Sequence, residues 1–228
     1  INFCIPPLPE QKRIVAILDK AFEGIDKTAA NSEKNLANAR ALFESYLNAV
    51  FTEKCEGWAE KTLADVCIIK PPKKEAKKRL ADTDLVSFVP MSDLGKCVKN
   101  FPLNTDKPLA QVAGSYTYFS DNDVLLAKIT PCFENGKLGI ATNLTNGIGF
   151  GSSEFIVFRS KGEIEPEYLF YFLARNNFRS EGTQVMSGSV GHKRIPKEFI
   201  KQCIVPSPSL TEQKRMVREL DKLAEKTQ

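Results

Sequence analysis

The residues best placed to do chemistry are cationic, and the chemistry they suit is phosphate binding. Residues 70–79 read Lys-Pro-Pro-Lys-Lys-Glu-Ala-Lys-Lys-Arg, six cations against Glu75 alone. The prolines predict a broken loop in which Lys70, Lys73, Lys74, Lys77, Lys78 and Arg79 cannot be neutralised by regular helical pairing. Such side chains can line DNA phosphates and release counterions; a solvated loop is the plainer reading. A second cluster, Ser187, Ser189, His192, Lys193 and Arg194, joins hydroxyls and glycines to a basic tail. It suits backbone approach to phosphates or a groove, with a plain surface turn as its rival. Between the two, Lys128 to Lys137 ends a predicted strand with Thr130, Glu134, Asn135 and Lys137, side-chain types that hydrogen-bond base edges. Within it Phe133 reads as a buried anchor rather than a wedge, and Trp58 as core rather than a stacking platform. Lys96 and Lys99 are weaker phosphate candidates, and Arg175 and Arg179 are expected to face water.

Catalysis and metal binding find little support. His192 is the one histidine, and Cys4, Cys55, Cys67, Cys97, Cys132 and Cys203 are scattered without a C-x-x-C spacing, so neither a zinc site nor a disulfide framework is expected. Amino-methyl transfer would need an Asp/Asn-Pro-Pro-aromatic loop, but Pro6-Pro7 and Pro71-Pro72 are followed by Leu8 and Lys73. Gly147-Ile148-Gly149-Phe150-Gly151 lacks the third-glycine spacing of a nucleotide loop and reads as close backbone packing. Asp65 and Glu75 with Lys77 make only a weak nuclease metal pattern.

These residues must be positioned by a chain of 228 residues, 42% hydrophobic and 26% charged, with net charge +4. That composition fits a soluble globular protein with a real core. No run of about 18 uncharged apolar residues and no basic-then-apolar leader occurs, so neither a membrane span nor a secretory signal is expected and the expected compartment is the cytoplasm. Ile1 is no natural start and Gln228 falls within a helical pattern, so a fragment is the expectation. From Glu10 to Phe51 there is no proline and only Gly24, while apolar or small residues recur in steps of three and four. A long helix with a narrow stripe is predicted, and it needs a partner helix along Ile14, Leu18, Ile25, Leu36, Phe43, Tyr46 and Val50. From Gly57 onward the texture changes. Strands are predicted at Val66 to Ile69, Leu85 to Val89, Val124 to Ile129 and Phe155 to Phe158, and one amphipathic helix between Glu165 and Ser180, ending before Gly182. The fold class is α+β, a globule joined to a long coiled-coil-forming helix.

An internal repeat ties these parts together. Glu10-Gln11-Lys12-Arg13 through Lys20 returns as Glu212-Gln213-Lys214-Arg215 through Lys222 with eight of eleven positions identical, each copy after a Pro-rich hinge. Ser209 and Glu212 have capping-box spacing, and Pro9 suits a first helical turn. Agreement in helix and hinge alike favours duplication over chance.

This order of hinge, Glu-Gln-Lys-Arg, long helix, globule, second hinge and second Glu-Gln-Lys-Arg resembles the specificity (S) subunit of type I restriction-modification systems. Within the globule, Asp123 to Lys137, Asn146 to Phe155 and Met186 to Arg194 resemble blocks of that family's target recognition domains. The resemblance implies four parts. Residues 1–9 are the tail of a preceding recognition domain and its hinge, 10–51 a conserved spacer helix, 52–208 a target recognition domain, and 209–228 the start of the second spacer helix. It implies a non-catalytic subunit that reads one half of a split double-stranded DNA target beside modification (M) and restriction (R) subunits. S-adenosylmethionine is then expected in the M subunit, and no cofactor in this chain. The chain lacks a second recognition domain, so an excised half and a natural half-subunit that dimerises through its spacer helix both stay open. The main alternative is a helical assembly scaffold that docks M subunits.

Overall fold

The computed structural model describes residues 5–53, 57–189 and 191–227; Cys4, Cys55, Val190 and Gln228 lie outside them. Helix α1 (Leu8–Thr52) opens with Pro9 in its first turn, where the Pro7 carbonyl takes the amides of Glu10 and Gln11. Its 45 residues span about 68 Å at 1.5 Å per residue. Ile14, Leu18, Ile25 and Leu36 are 40%, 47%, 60% and 37% exposed, so most of the stripe is bare. Its last turns are not. Phe43, Tyr46 and Val50 are half-buried beside the buried Leu47 and Phe51, and this end of the stripe therefore has a partner within its own chain.

The globule follows as β1 (Ala59–Thr62), α2 (Leu63–Val66), β2 (Cys67–Ile69), α3 (Lys74–Arg79), β3 (Leu85–Val89), β4 (Asp106–Pro108), α4 (Leu109–Val112), β5 (Thr117–Ser120), β6 (Val124–Ala127), β7 (Leu138–Ile140), β8 (Ile148–Gly151) and β9 (Phe155–Ser160). Then come α5 (Pro166–Ala174), α6 (Asn176–Val185), α7 (Lys197–Gln202), β10 (Ile204–Ser207) and α8 (Leu210–Ala224). One four-stranded sheet has the order β2-β9-β6-β7 and a second β4-β3-β8-β5, while β1 pairs with β10. Only β3 and β8 run parallel among these pairs. The class is α+β, as the pattern of strands with few intervening helices predicts. Leu125, Ala127, Phe155 and Val157 of the first sheet share a core with Val89 and Phe119 of the second. A Cβ on Gly149 would stand 2.2 Å from Phe119 Cε2, so the glycine run of β8 serves this close approach between backbone and ring.

Two local expectations change. Lys74 to Arg79 form a short helix, not a Pro-broken loop, because Pro72 sits ahead of the first turn and Ala76 supplies a buried contact beneath it. The single helix expected before Gly182 is two. Extended backbone at Arg175 separates α5 from α6, and α5 is buried throughout Tyr168–Ala174 rather than amphipathic. Gly182 lies inside α6, where a Cβ would meet Phe133 Cζ at 2.4 Å.

Helix α8 packs against α5 and the end of α1. The Ser209 hydroxyl accepts the Glu212 amide at 3.3 Å, whereas the Glu212 carboxylate turns to Arg215. Tyr46 donates to Glu219 at 3.2 Å, and Arg40 and Phe43 face Ala224 and Glu225 across a cleft. Later residues of α8 thus meet earlier residues of α1, and the two helices run antiparallel. No helix among the described residues is long and apolar enough to cross a membrane.

Candidate nucleic-acid interface

Three segments distant in sequence meet where β6 ends. Leaving the strand, Lys128 donates its amide to Glu154 and accepts from Ile195, at 2.9 and 3.0 Å, and Thr130 donates to the Lys193 carbonyl at 3.0 Å. Ser187 and Arg194 exchange both backbone bonds, at 3.1 and 2.8 Å, and close a turn that holds Ser189, His192 and Lys193 in solvent. Glu154 locks the junction. It takes two hydrogen bonds from Arg194, at 2.9 and 2.8 Å, and stands 3.8 Å from Lys128 Nζ, which donates to the Ser153 carbonyl. The Arg194 hydrogen bond holds the Glu154 carboxyl below its usual range. Arg194 and Lys128 are therefore partly spoken for, and Lys193 is the cation of this ridge with no carboxylate partner among the described residues.

The loop from Thr130 to Lys137 is built largely for its own support. The Thr130 hydroxyl donates to Glu134 at 2.8 Å, and Lys137 donates to the Met91 carbonyl at 2.6 Å. Phe133 is fully buried with its ring 6.0 Å from that of Phe178, the anchor its size suggests. Trp58 likewise packs on the core. Only Asn135 among the four expected base-reading side chains is exposed and without a side-chain partner among the described residues.

Helix α3 presents Lys74, Lys77 and Lys78 to solvent with no carboxylate partner among the described residues. Its flanks are tied down: Lys73 donates to the Gly114 carbonyl at 2.7 Å and Arg79 to that of Asn146 at 3.4 Å. Glu75 turns inward to Arg159, which also grips Asp123 at 2.7 and 2.8 Å and lies 5.4 Å from the Tyr118 ring centre. Burial raises the pKa of Asp123 against the opposing pull of Arg159. The pair nonetheless sits in the bidentate geometry of an ionised one. Asp65 caps α2 by accepting the Thr62 amide at 2.9 Å. Asp65 and Glu75 thus each have a structural partner, Thr62 and Arg159.

Other cations also differ from expectation. Arg175 stacks on Phe172 and donates to its carbonyl, and Arg179 donates to Cys97 Sγ and the Ala174 carbonyl, so neither simply faces water. Lys99 pairs with Asp221 over the Tyr171 ring. Lys96 is exposed. Burial pushes the Cys67 thiol up to about 12 and Cys203 up to about 11, and raises Cys97 as well, so none of these three supplies a thiolate at neutral pH. Sequence spacing misses Glu154 and Arg159. A lone glutamate in Ser-Ser-Glu-Phe gives no sign of its partner 40 residues on, and Arg159 reads as an ordinary strand-end arginine.

Residues 55–228 match the family model of the type I restriction modification DNA specificity domain. The type I restriction enzyme EcoEI specificity subunit of Escherichia coli is 37% identical over 170 residues, which cover 74% of this chain and 28% of that protein. The EcoAI specificity subunit, also of Escherichia coli, is 35% identical over 164 residues, 71% of this chain and 27% of that one. The fold is similar to that of the HsdS subunit from Thermoanaerobacter tengcongensis, with a TM-score of 0.64 and 21% identity over 98% of this chain and 52% of that chain. A chain solved in work on assembly and conformational transition of the type I R-M system gives a TM-score of 0.71 at 21% identity, covering 98% of this chain and 53% of that one. The chain thus spans little more than a quarter of the length of these two curated relatives and about half of these solved chains.

Proposed function

The chain belongs to the type I restriction-modification DNA specificity family, and from that membership we propose that it reads one half of a split DNA target within a type I complex, with no catalysis of its own. The observation that carries this reading is the convergence of Lys128–Thr130 and Ser152–Glu154 with Ser187 and Arg194 into one ridge, on which Ser153, Ser187, Ser189, His192 and Lys193 are exposed. Lys193 on the ridge and Lys74, Lys77 and Lys78 on α3 contact phosphates and set the register on the duplex. Asn135, Ser187, Ser189 and His192 carry side chains able to bond base edges, asparagine matching adenine best. Residues 10–51 act as spacer, 52–208 as the recognition domain and 209–228 as the start of a second spacer. M subunits holding S-adenosylmethionine modify the target, R subunits cut it, and the whole works in the cytoplasm.

Few cations on the ridge are free, so the chain binds DNA weakly alone and gains affinity and specificity with M subunits. The test is DNA retention by the intact complex, followed by mapping of methylated sites in cells carrying it. Asn135→Ala is expected to relax one base position of one half-site and leave the other half-site unchanged. Retention that is indifferent to sequence with M present would favour a second reading, in which the bare stripe of α1 makes the chain an assembly scaffold or a homodimer through its spacer helix.

A further inference from the structure

A cavity of about 180 Å³ opens beside the ridge, between the outer end of β2, the start of β9 and α7. Its floor is apolar, with Ile69, Ile156 and Ile200, and its rim carries Lys70, Lys128 and Lys197. Three lysines thus line one small space, Lys128 with its ammonium on the Ser153 carbonyl. The nearby carboxylate Glu154 is shared between Arg194 and Lys128, which leaves Lys70 and Lys197 without an acidic partner among the described residues. Lys70 is also held in left-handed backbone geometry, φ 62°, directly before Pro71, a combination that costs conformational energy for a residue with a side chain. Its amide is fixed to the Val157 carbonyl at 2.8 Å.

Resting on the DNA-reading function above, we propose that this cavity is a socket for a single DNA backbone phosphate, held between Lys70 and Lys197, with the adjoining deoxyribose on the isoleucine floor. Charge selects the occupant: a rim of cations over apolar carbons suits an anion with a carbon skeleton attached, and the cavity shares Lys128 and Ser153 with the ridge. The socket adds Lys197, in the first turn of α7, to the contact surface. It also gives the Lys-Pro-Pro entry to α3 a purpose beyond joining two elements, because Lys70 in that turn lines the cavity with its amide fixed to β9.

The probe is a random-sequence duplex titrated with the full chain at several salt concentrations, which isolates phosphate contacts from base readout. Each phosphate neutralised contributes about 0.9 to the slope of log affinity against log salt. Lys70→Ala with Lys197→Ala is expected to lower that slope by about one unit, since both lysines hold one phosphate. The Ile69 and Ile156 methyl resonances are expected to shift on adding duplex, and not to do so in the double variant. An unchanged slope would put the socket off the DNA path, a loss of about two units would mean separate phosphates, and methyls that stay still while the slope falls would leave the floor unused. Any of these overturns the socket. If the wild-type chain and Lys77→Ala show no salt-dependent binding even with M subunits added, the DNA-reading function itself falls and the socket with it.

Discussion

Glu154 shows how one side chain can govern a surface it does not itself extend. Its carboxylate joins the 187–194 turn to the end of β6 through Arg194, and the hydrogen bond from Arg194 lowers its pKa in the folded chain. A carboxyl whose pKa falls on folding adds stability that is present above its unfolded value of about 4.3 and lost as pH drops through the folded value. The turn is therefore expected to stay ordered at neutral pH and to loosen only as the pH falls below the ordinary carboxylate range. Amide exchange at Ser187, His192 and Arg194 measures this, and Glu154→Gln should make exchange fast at neutral pH and flatten its dependence on acid. Residue types told much at this scale, though not everything. Phe133 is readable as an anchor because a large ring in a polar loop has few other uses. Lys73 and Lys137 are not readable as structural, because their partners are backbone carbonyls of Gly114 and Met91, and no side-chain pattern marks a carbonyl that a lysine will reach.

Among the elements, α3 is the one whose position most needs explaining, since a six-residue helix has little stability of its own. Ala76 gives it one buried contact. Glu75 gives it a second tether, through Arg159 to Asp123, and that tether is expected to hold the face that carries Lys74, Lys77 and Lys78. A double-mutant cycle separates positioning from general stability. In the wild-type background Lys77→Ala should flatten the salt slope of DNA binding by about one unit. With Glu75→Gln already present, the same change should flatten it by less than half as much, while Glu75→Asp should restore part of the effect. Equal effects in both backgrounds would mean that α3 keeps its aim without the ion pair. The sequence announced the basic run but not the helix, because Lys-Pro-Pro reads as a breaker until the second proline is recognised as standing just ahead of a first turn. It also concealed the break between α5 and α6. The polar Arg175-Asn176-Asn177 that follows the apolar run of α5 marks the place, but with no proline or glycine there it reads as the polar face of one continuing helix; the extended Arg175 backbone is what divides the two.

For the whole molecule, the two Glu-Gln-Lys-Arg copies share a local geometry but differ in what covers them. Gln11 donates to the Pro6 carbonyl at 2.7 Å and Gln213 to that of Pro208 at 2.9 Å, so hinge and helix start have the same local geometry. The second copy is covered: Gln213 also accepts the Glu165 amide and donates to the Glu163 carbonyl, and Met216, Val217 and Leu220 are buried. In the first copy Ile14, Val15 and Leu18 are exposed. Antiparallel contact between α8 and the end of α1 sets the direction in which a longer second helix would run, along Leu36, Ile25 and Leu18 toward Ile14. Under the proposed spacer role, the spacing between two recognition domains is a property of helix length. Inserting four residues near Asn31 adds about 6 Å of helix, close to two base-pair steps, and rotates the stripe by only about 40°, whereas two residues rotate it by about 160°. The four-residue insertion is therefore expected to lengthen the unspecified spacer between methylated half-sites by about two base pairs. Both half-site sequences should stay as they were, and the two-residue insertion should abolish methylation. The measurement is the spacer length in cells carrying an intact subunit with each insertion. A changed half-site at unchanged spacing would show that α1 supports base reading directly, since a rod that only separates two domains can alter their distance but not what either of them reads.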